Sequence, residues 1–234
     1  LEKDGTFYVG YVNNPNTVAS AGSEDNALGI AVASWNGQWS EPQRILDVFS
    51  TELSMDMDDA GNIWLASAYT GTESRARYTR QIGVARLSDG VWTPFRLENL
   101  LDEPRRVERP AIRVDGNTIQ VAALGWDNDS SILAYWQSTD GGHNWSTPVQ
   151  VPSPGTPFAH LSPRWDGPYL VWSILTDPDT AQVCRMVPSD GGDAECLNVR
   201  SSRIDSFSVE SAQVHASADD GVGTWSVKKY SWSN

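Results

Sequence analysis

The chain has 234 residues, 39% apolar content and a formal charge of −13 from 17 basic and 30 acidic side chains. Such a surface repels phosphate backbones and anionic headgroups, so nucleic acid is not an expected partner and adsorption to anionic membranes is disfavoured. No apolar run reaches the ~18 residues of a membrane span, so no membrane insertion is expected.

The chain begins at Leu1, without a methionine or an apolar leader, and is expected to be a processed or trimmed segment. Its apolar runs are short, β-branched and aromatic, with eleven tryptophans, and are separated by clusters of Gly, Asn, Asp, Ser and Pro. This pattern predicts an all-β protein. Residues 5–47 read as the second, third and fourth strands of a unit whose first strand is missing. Residues 51–97 read as a complete unit. An alternating strand, Leu53 to Met57, is followed by the turn Asp58 to Asn62 and the apolar run Ile63 to Tyr69. A long polar connection then leads to Ile82–Leu87, the turn Ser88-Asp89-Gly90 and Trp92–Leu97. The next unit reads Pro110–Val114, Thr118–Leu124, Ser131–Trp136 and Trp145–Val151. The one after reads His160–Arg164, Tyr169–Leu175, Gln182–Val187 and Glu195–Val199. At the end, Ser206–Ala216 and Thr224–Trp232 read as a first and second strand only.

Two markers share one period. Trp39, Trp92 and Trp145 recur every 53 residues, and Glu195 follows 50 residues later. Gly5, Gly61, Gly116, Gly167 and Gly221 recur at intervals of 56, 55, 51 and 54, each ahead of an apolar segment. A repeat of this length built from four strands predicts a β-propeller of four-stranded antiparallel blades, in units of about 1–50, 51–99, 107–152, 159–200 and 206–234 of one domain. Pro42, Pro94 and Pro148 place the fourth strand at the sheet edge, because proline cannot donate to a ladder. With incomplete units at both ends, the chain is either part of a larger, six-bladed propeller or carries a segment that departs from the repeat.

Ser138-x-Asp140-x-Gly142-x-x-Trp145 matches S-x-D-x-G-x-x-W in full. The pattern is degenerate around Asp190 and Gly192, where Glu195 stands for the tryptophan, and shortened at Ser88-Asp89-Gly90-Val91-Trp92. The chain thereby resembles the sialidase-like propellers with Asp-box (BNR) repeats. The resemblance implies that the box is a hairpin between third and fourth strands. Its aspartate binds turn amides and its tryptophan seats the turn, so Asp140 is expected to be structural. Enzymes of that family use an arginine triad, a tyrosine–glutamate pair and an acidic aspartate. Their F/Y-R-I-P motif is absent here, with Arg109-Pro110 the nearest echo, and no catalytic residue is assigned.

Cys184 and Cys196 lie symmetrically about the Ser189–Gly192 turn and are expected to form a disulfide. That would place the chain in an oxidising compartment: secreted, periplasmic or cell-surface. The three histidines share no ligand spacing, and no metal site is assigned. Asp56, Asp58 and Asp59, like Asp177 and Asp179, form either Asx turns or a calcium site. Asn128 and Asn144 begin glycosylation sequons. Arg105 and Arg109 before a first strand, Arg77 in a second-to-third connection, and Tyr69, Trp126 and Asp127 at the ends of second strands all belong to one face of a propeller. They form the candidate binding surface for an anionic, sugar or protein ligand. Together these readings predict an extracellular binding or structural module for a glycan or protein, with part of a glycoside hydrolase as the alternative.

Overall fold

The computed structural model describes residues 1–13, 29–46, 50–69, 81–97, 106–127, 130–151, 159–177, 180–188, 193–200, 203–210, 213–219 and 225–231. All regular structure among them is β, apart from a single 3₁₀ residue at Pro188. No helix among the described residues is long and apolar enough to cross a membrane.

The first sheet holds β1 (Glu2–Lys3), β2 (Thr6–Asn13), β3 (Gly29–Trp35) and β4 (Gln43–Leu46). The second holds β5 (Ser50–Met57), β6 (Ile63–Tyr69), β7 (Gln81–Ser88) and β8 (Val91–Arg96). The third holds β9 (Arg106–Asp115), β10 (Thr118–Asp127), β11 (Ser130–Ser138) and β12 (Val149–Gln150). The fourth holds β13 (Ala159–Asp166), β14 (Tyr169–Asp177), β15 (Thr180–Met186) and β16 (Glu195–Arg200). The fifth holds β17 (Arg203–Glu210), β18 (Gln213–Asp219) and β19 (Trp225–Ser231). Spatial order follows chain order in every sheet, so the fourth strand is an edge in the first four sheets; Pro94 lies within one, β8, whereas Pro42 and Pro148 directly precede β4 and β12. The chain divides into two compact units, residues 1–126 with 134–149, and residues 127–133 with 150–234.

Three expected elements differ from the structure. The first unit does possess a first strand, the two-residue β1, which pairs Glu2 with Phe7 and Lys3 with Thr6. Two residues are too few to show alternation in sequence. The expected first strand Ser206–Ala216 is in truth a hairpin: β17 and β18 pair Glu210 with Gln213, leaving Ser211-Ala212 as the connection. That dipeptide carries none of the usual Gly, Asn or Asp turn chemistry, so the reversal was invisible. Gly221 accordingly falls between a second and a third strand and not before a second one. Lastly, the fourth strand expected over Trp145–Val151 is reduced to Val149–Gln150. Ser146 replaces part of the ladder: its N–H donates to the Gln137 carbonyl (2.8 Å) and its Oγ accepts from the Gln137 N–H (3.0 Å), while Pro148 has no N–H to offer. Ser40, which also follows a periodic tryptophan, makes the same pair of bonds to Ser34 at 2.8 and 2.9 Å.

Within the first unit, successive sheets are held face to face by apolar side chains. Tyr8, Ile30 and Val32 of the first sheet cluster with Leu53, Met55, Leu65 and Trp92 of the second. The other face of the second sheet (Trp64, Ala66, Ala68, Ile82, Val84) clusters with Val107, Ile112, Ile119, Val121, Ala123 and Trp136 of the third. The period-2 alternation of β6 thus sends even-numbered residues to one neighbouring sheet and Leu65 to the other, which explains why the strand reads as a continuous apolar run.

Along β5 the polar residues have a matching task. β9 is an edge strand whose outer N–H groups lack a ladder partner. Glu52 Oε2 accepts the Arg109 N–H, Ser54 Oγ the Ile112 N–H (3.2 Å) and Asp56 Oδ2 the Val114 N–H (2.7 Å). Alternate side chains of one first strand therefore satisfy the free edge of the next, which also closes that edge to aberrant pairing.

Candidate functional site

The candidate site is built at the starting ends of β5 and β9 and the finishing ends of β6 and β10. Here β9 bulges. Ala111 faces Ala122 and Glu108 faces Leu124, so Arg109 and Pro110 both stand opposite Ala123. Proline inside a strand forces such an irregularity. Arg109 adopts φ of +54°, a conformation that an L-residue with a long side chain rarely takes. The Glu52 carboxylate on its N–H helps hold it there. β13 has a comparable bulge at Ser162-Pro163, opposite Trp172.

Beside the bulge, side chains of β9 and β10 form a cluster of three. Glu108 is buried at 4% exposure, and its Oε1 accepts the Trp126 indole N–H at 2.8 Å. The Arg109 Nε lies 3.8 Å from the same oxygen, with 35% of its side chain open to solvent. Trp126 is half-buried. A buried carboxylate is thus fixed by an indole and flanked by an accessible guanidinium, next to an indole with a solvent-facing part. Such a surface offers both donors for hydroxyl or carboxylate oxygens and an aromatic wall for apolar C–H groups.

Of the residues assigned to this surface from sequence, the structure brings together Arg109 and Trp126. The backbones of Tyr69 and Asp127 lie at the matching strand ends of the second and third sheets, Tyr69 pairing with Ser50 and Trp126 with Arg106. Arg105 and Arg77 lie outside the described residues. Glu52 and Glu108 were missed. The only signal available was the alternation of Glu52, Ser54 and Asp56 on one side of a strand, and a buried glutamate cannot be told from a solvated one by type alone.

The Ser138–Trp145 turn is a closed hydrogen-bond system. Asp140 Oδ1 accepts from Ser138 Oγ (2.8 Å) and from the Asn144 N–H (2.9 Å), and its Oδ2 accepts from Asn144 Nδ2 (2.6 Å). Ser138 Oγ accepts the Gly142 N–H at 2.9 Å, and Trp145 Nε1 donates to the Gly142 carbonyl at 3.1 Å. Gly142, at φ of +85°, lies so close to Trp64 that an added Cβ would come within 2.7 Å of the indole edge. With both carboxylate oxygens engaged inside its own turn, Asp140 has a fastening task. Asp190 and Gly192 lie outside the described residues. Asp89 takes φ of +50° beside Gly90 at +77° in a two-residue hairpin between Ser88 and Val91, the geometry that Asp-Gly favours.

Asp58 repeats the arrangement of Asp140. It accepts Asn62 N–H and Nδ2 at 2.8 Å each, four residues on, and also the Trp64 indole at 3.2 Å. The shared D-x-x-x-N spacing was the available signal. Asp56 gives one oxygen to the Val114 N–H and the other to the Met57 N–H, while Asp58 Oδ1 takes the Asn62 N–H in the manner of an Asx turn and its Oδ2 takes the Asn62 and Trp64 side chains. No group of three metal-ligating side chains occurs among the described residues.

These bonds set the charge states of the turns. The backbone N–H of Asn144, then its side chain and Ser138 Oγ, with the His143 charge adding in the same direction, lower Asp140 from 3.8 to about 2 against a small opposing effect of burial. Burial alone would raise Asp58, but bonds from Asn62, Trp64 and Gly61 outweigh it and lower the net value. Because the folded values lie below the unfolded ones, both groups contribute stability in full above their ordinary range. That stability is lost as pH falls through the folded values. Asp140→Asn is therefore expected to destabilise the protein at neutral pH, with its unfolding curve converging on the wild type as pH falls from about 4 towards about 2. Urea titrations across that range check this, and a constant gap between the two curves would rule it out.

Cys184 and Cys196 are bonded across β15 and β16 as direct register partners, with Cα atoms 4.1 Å apart. The adjacent pair is Arg185 and Glu195, joined from Nε and Nη2 to Oε2 at 3.0 and 2.8 Å, and the Arg185 guanidinium lies 4.8 Å from the Tyr169 ring centre.

No family model and no curated protein sequence matches the chain. Its fold is similar to that of several solved structures. A protein of unknown function from Dyadobacter fermentans aligns with a TM-score of 0.62 and 14% identity over 92% of this chain and 72% of its own. The phage phi92 endosialidase aligns with a TM-score of 0.62 and 8% identity over 92% of this chain and 49% of its own. The Hadza microbial sialidase Hz136 aligns with a TM-score of 0.57 and 17% identity over 87% of this chain and 52% of its own. The chain thus spans about half the length of the sialidase and the endosialidase. At these identities the likeness is one of fold: the chain is an all-β propeller of four-stranded antiparallel blades, with the last sheet three-stranded among the described residues.

Proposed function

We propose that the chain is a sialidase-like propeller module that binds a glycan without transforming it, at the strand ends around Arg109 and Trp126. The observation that carries this reading is the cluster of buried Glu108, its indole partner Trp126 and the left-handed, solvent-facing Arg109. Bulged, strained backbone persists where surrounding structure holds it in place, and it gathers at binding sites. In this reading Arg105, Arg77, Tyr69 and Asp127 complete the surface. A sialic acid carboxylate is the preferred anionic group, because a guanidinium fork matches it. Ser138, Asp140, Gly142 and Trp145 then fasten their blade and touch no ligand. The disulfide supports placement in an oxidising compartment, secreted, periplasmic or cell-surface.

One observation favours the alternative of a glycoside hydrolase: Glu52 and Glu108 both meet Arg109, and paired carboxylates are the machinery of glycoside cleavage. Each has an oxygen committed to a structural donor, which favours binding over catalysis. The deciding experiment is a glycan array followed by calorimetry and a panel of chromogenic glycosides. Binding without hydrolysis is expected. Trp126→Ala should weaken binding at least ~10-fold, about 1.4 kcal/mol, whereas Trp126→Phe, which keeps an aromatic wall, should retain most of it. Hydrolysis that disappears in Glu52→Gln or Glu108→Gln would establish the enzyme reading, and a blank array would remove the binding one.

A further inference from the structure

Asn36-Gly37 is the one Asn-Gly dipeptide of the chain. It lies at the tip of the hairpin that follows β3. Trp35 and Trp39 pair across that tip as an isolated bridge, leaving Asn36, Gly37 and Gln38 as the loop. Gly37 takes φ of +97°, and the Asn36 N–H donates to the Gln38 carbonyl at 3.3 Å. Among the described residues no bond engages the Asn36 carboxamide or the Gly37 N–H.

That combination carries chemistry. A backbone amide nitrogen that loses its proton is a nucleophile, and the carboxamide carbon of the preceding asparagine is one five-membered ring away. A side chain on the attacking residue obstructs the approach. Glycine has none, and it turns through conformations closed to other residues. Elsewhere the chain is protected. Asn62, Asn117, Asn144 and Asn198 precede Ile63, Thr118, Trp145 and Val199. Asn62 and Asn144 also give Nδ2 to Asp58 and Asp140 at 2.8 and 2.6 Å, and Asn198 Oδ1 accepts from Gln182 Nε2 at 2.9 Å.

We infer that Asn36 is a site of spontaneous covalent modification, at which the folded chain converts asparagine to isoaspartate. The Gly37 nitrogen bonds to Asn36 Cγ, the bond from Cγ to Nδ2 breaks, and ammonia leaves behind a succinimide. Water then opens the ring. Attack at the side-chain carbonyl gives aspartate, and attack at the main-chain carbonyl gives isoaspartate; neither route needs an oxidant or reductant. Each adds one negative charge to a chain already at −13. The isoaspartate route also adds one carbon to the main chain within the tip. The bond from Asn36 to Gln38 and the bridge from Trp35 to Trp39 fit a loop of fixed length, so the longer loop breaks their register. The two bonds of Ser40 to Ser34, at 2.8 and 2.9 Å, close the hairpin further in and confine the change to its tip. The tilted pair of Trp35 and Trp39 rings, with centroids 5.4 Å apart, reports on it.

The test ages the full chain, folded and in urea, in mildly acidic and mildly alkaline buffer. Peptide mass mapping locates the gain of about 1 Da that replaces NH₂ by OH. Methyl transfer from S-adenosylmethionine by an isoaspartyl carboxyl methyltransferase counts the isoaspartate. In the folded chain Asn36 should convert before any other asparagine, faster in alkali, and at a rate close to that in urea. Most aged chains should accept a methyl group and lose the tryptophan couplet in near-ultraviolet circular dichroism. Asn36→Gln, whose cyclisation needs a larger and slower ring, should keep the couplet and accept no methyl group. An Asn36 that stays intact in the folded chain yet converts in urea overturns the inference, because the hairpin then protects it. Earlier conversion at another asparagine of the folded chain does so too. Full methyl acceptance with an unchanged couplet overturns the breaking of the tip.

Discussion

Trp64→Ala should destabilise the protein by about 3–5 kcal/mol, as truncation of a fully buried tryptophan does. Trp64 is 1% exposed and lies in the cluster joining the second and third sheets. Its ring stacks on Phe95 with centroids 5.7 Å apart, and the Arg86 guanidinium lies 5.5 Å from its centre. Its indole N–H reaches Asp58 in the β5–β6 turn, and its far edge lies under Gly142 in the Ser138–Trp145 turn. One side chain therefore pins two turns that belong to adjacent blades. This predicts a particular non-additivity. Gly142→Ala alone meets two penalties: a left-handed φ that disfavours Cβ by about 1–2 kcal/mol, and a Cβ within 2.7 Å of the indole. Removing the indole abolishes the second penalty and leaves the first. The double variant should thus be more stable than the sum of the single losses implies, by about 1–3 kcal/mol in a urea double-mutant cycle. Strict additivity would mean that the turn and the tryptophan do not bear on each other.

The same pair of residues shows how far sequence carried the fold. The 53-residue tryptophan period was legible because each tryptophan follows the third-strand hairpin, a place fixed by the repeat. Turn glycines were legible because positive φ selects for them, and Gly5, Gly61, Gly116 and Gly167 all have it. What escaped was whatever depends on a partner distant in sequence. Glu52 and Arg109 are 57 residues apart, and nothing in either segment announces that a carboxylate will cap the neighbour's N–H. The bulges in the first strands were likewise hidden: Thr51 and Asp205 sit as single extra residues where the pattern suggests ordinary alternation. For the candidate site, residue type and strand position sufficed to place Arg109 and Trp126 near one another. The buried carboxylate that organises them was not legible, since its burial is a property of the assembled sheets.

Reducing the Cys184–Cys196 bond, or replacing both cysteines with alanine, should lower stability by roughly 3 kcal/mol, the chain-entropy value for a loop this short. The bond spans 12 residues and ties β15 to β16 at the end where the third blade instead uses its serine–aspartate turn. Glu195 occupies the place of the periodic tryptophan and cannot seat a turn by apolar contact. It reaches Arg185 instead, and Arg185 in turn lies against Tyr169. That substitute is weak. With Glu195 43% exposed, the ion pair contributes about 1 kcal/mol at most, less in salt. The disulfide is therefore the main fastener of this hairpin, and the ion pair matters mostly once the bond is open. Glu195→Gln should be nearly silent in the oxidised protein and measurably destabilising in the reduced one, with a salt dependence present only after reduction. Thermal melts with and without a thiol reductant, at low and high salt, decide it. A reduced protein as stable as the oxidised one would transfer the fastening to Arg185, Glu195 and Tyr169.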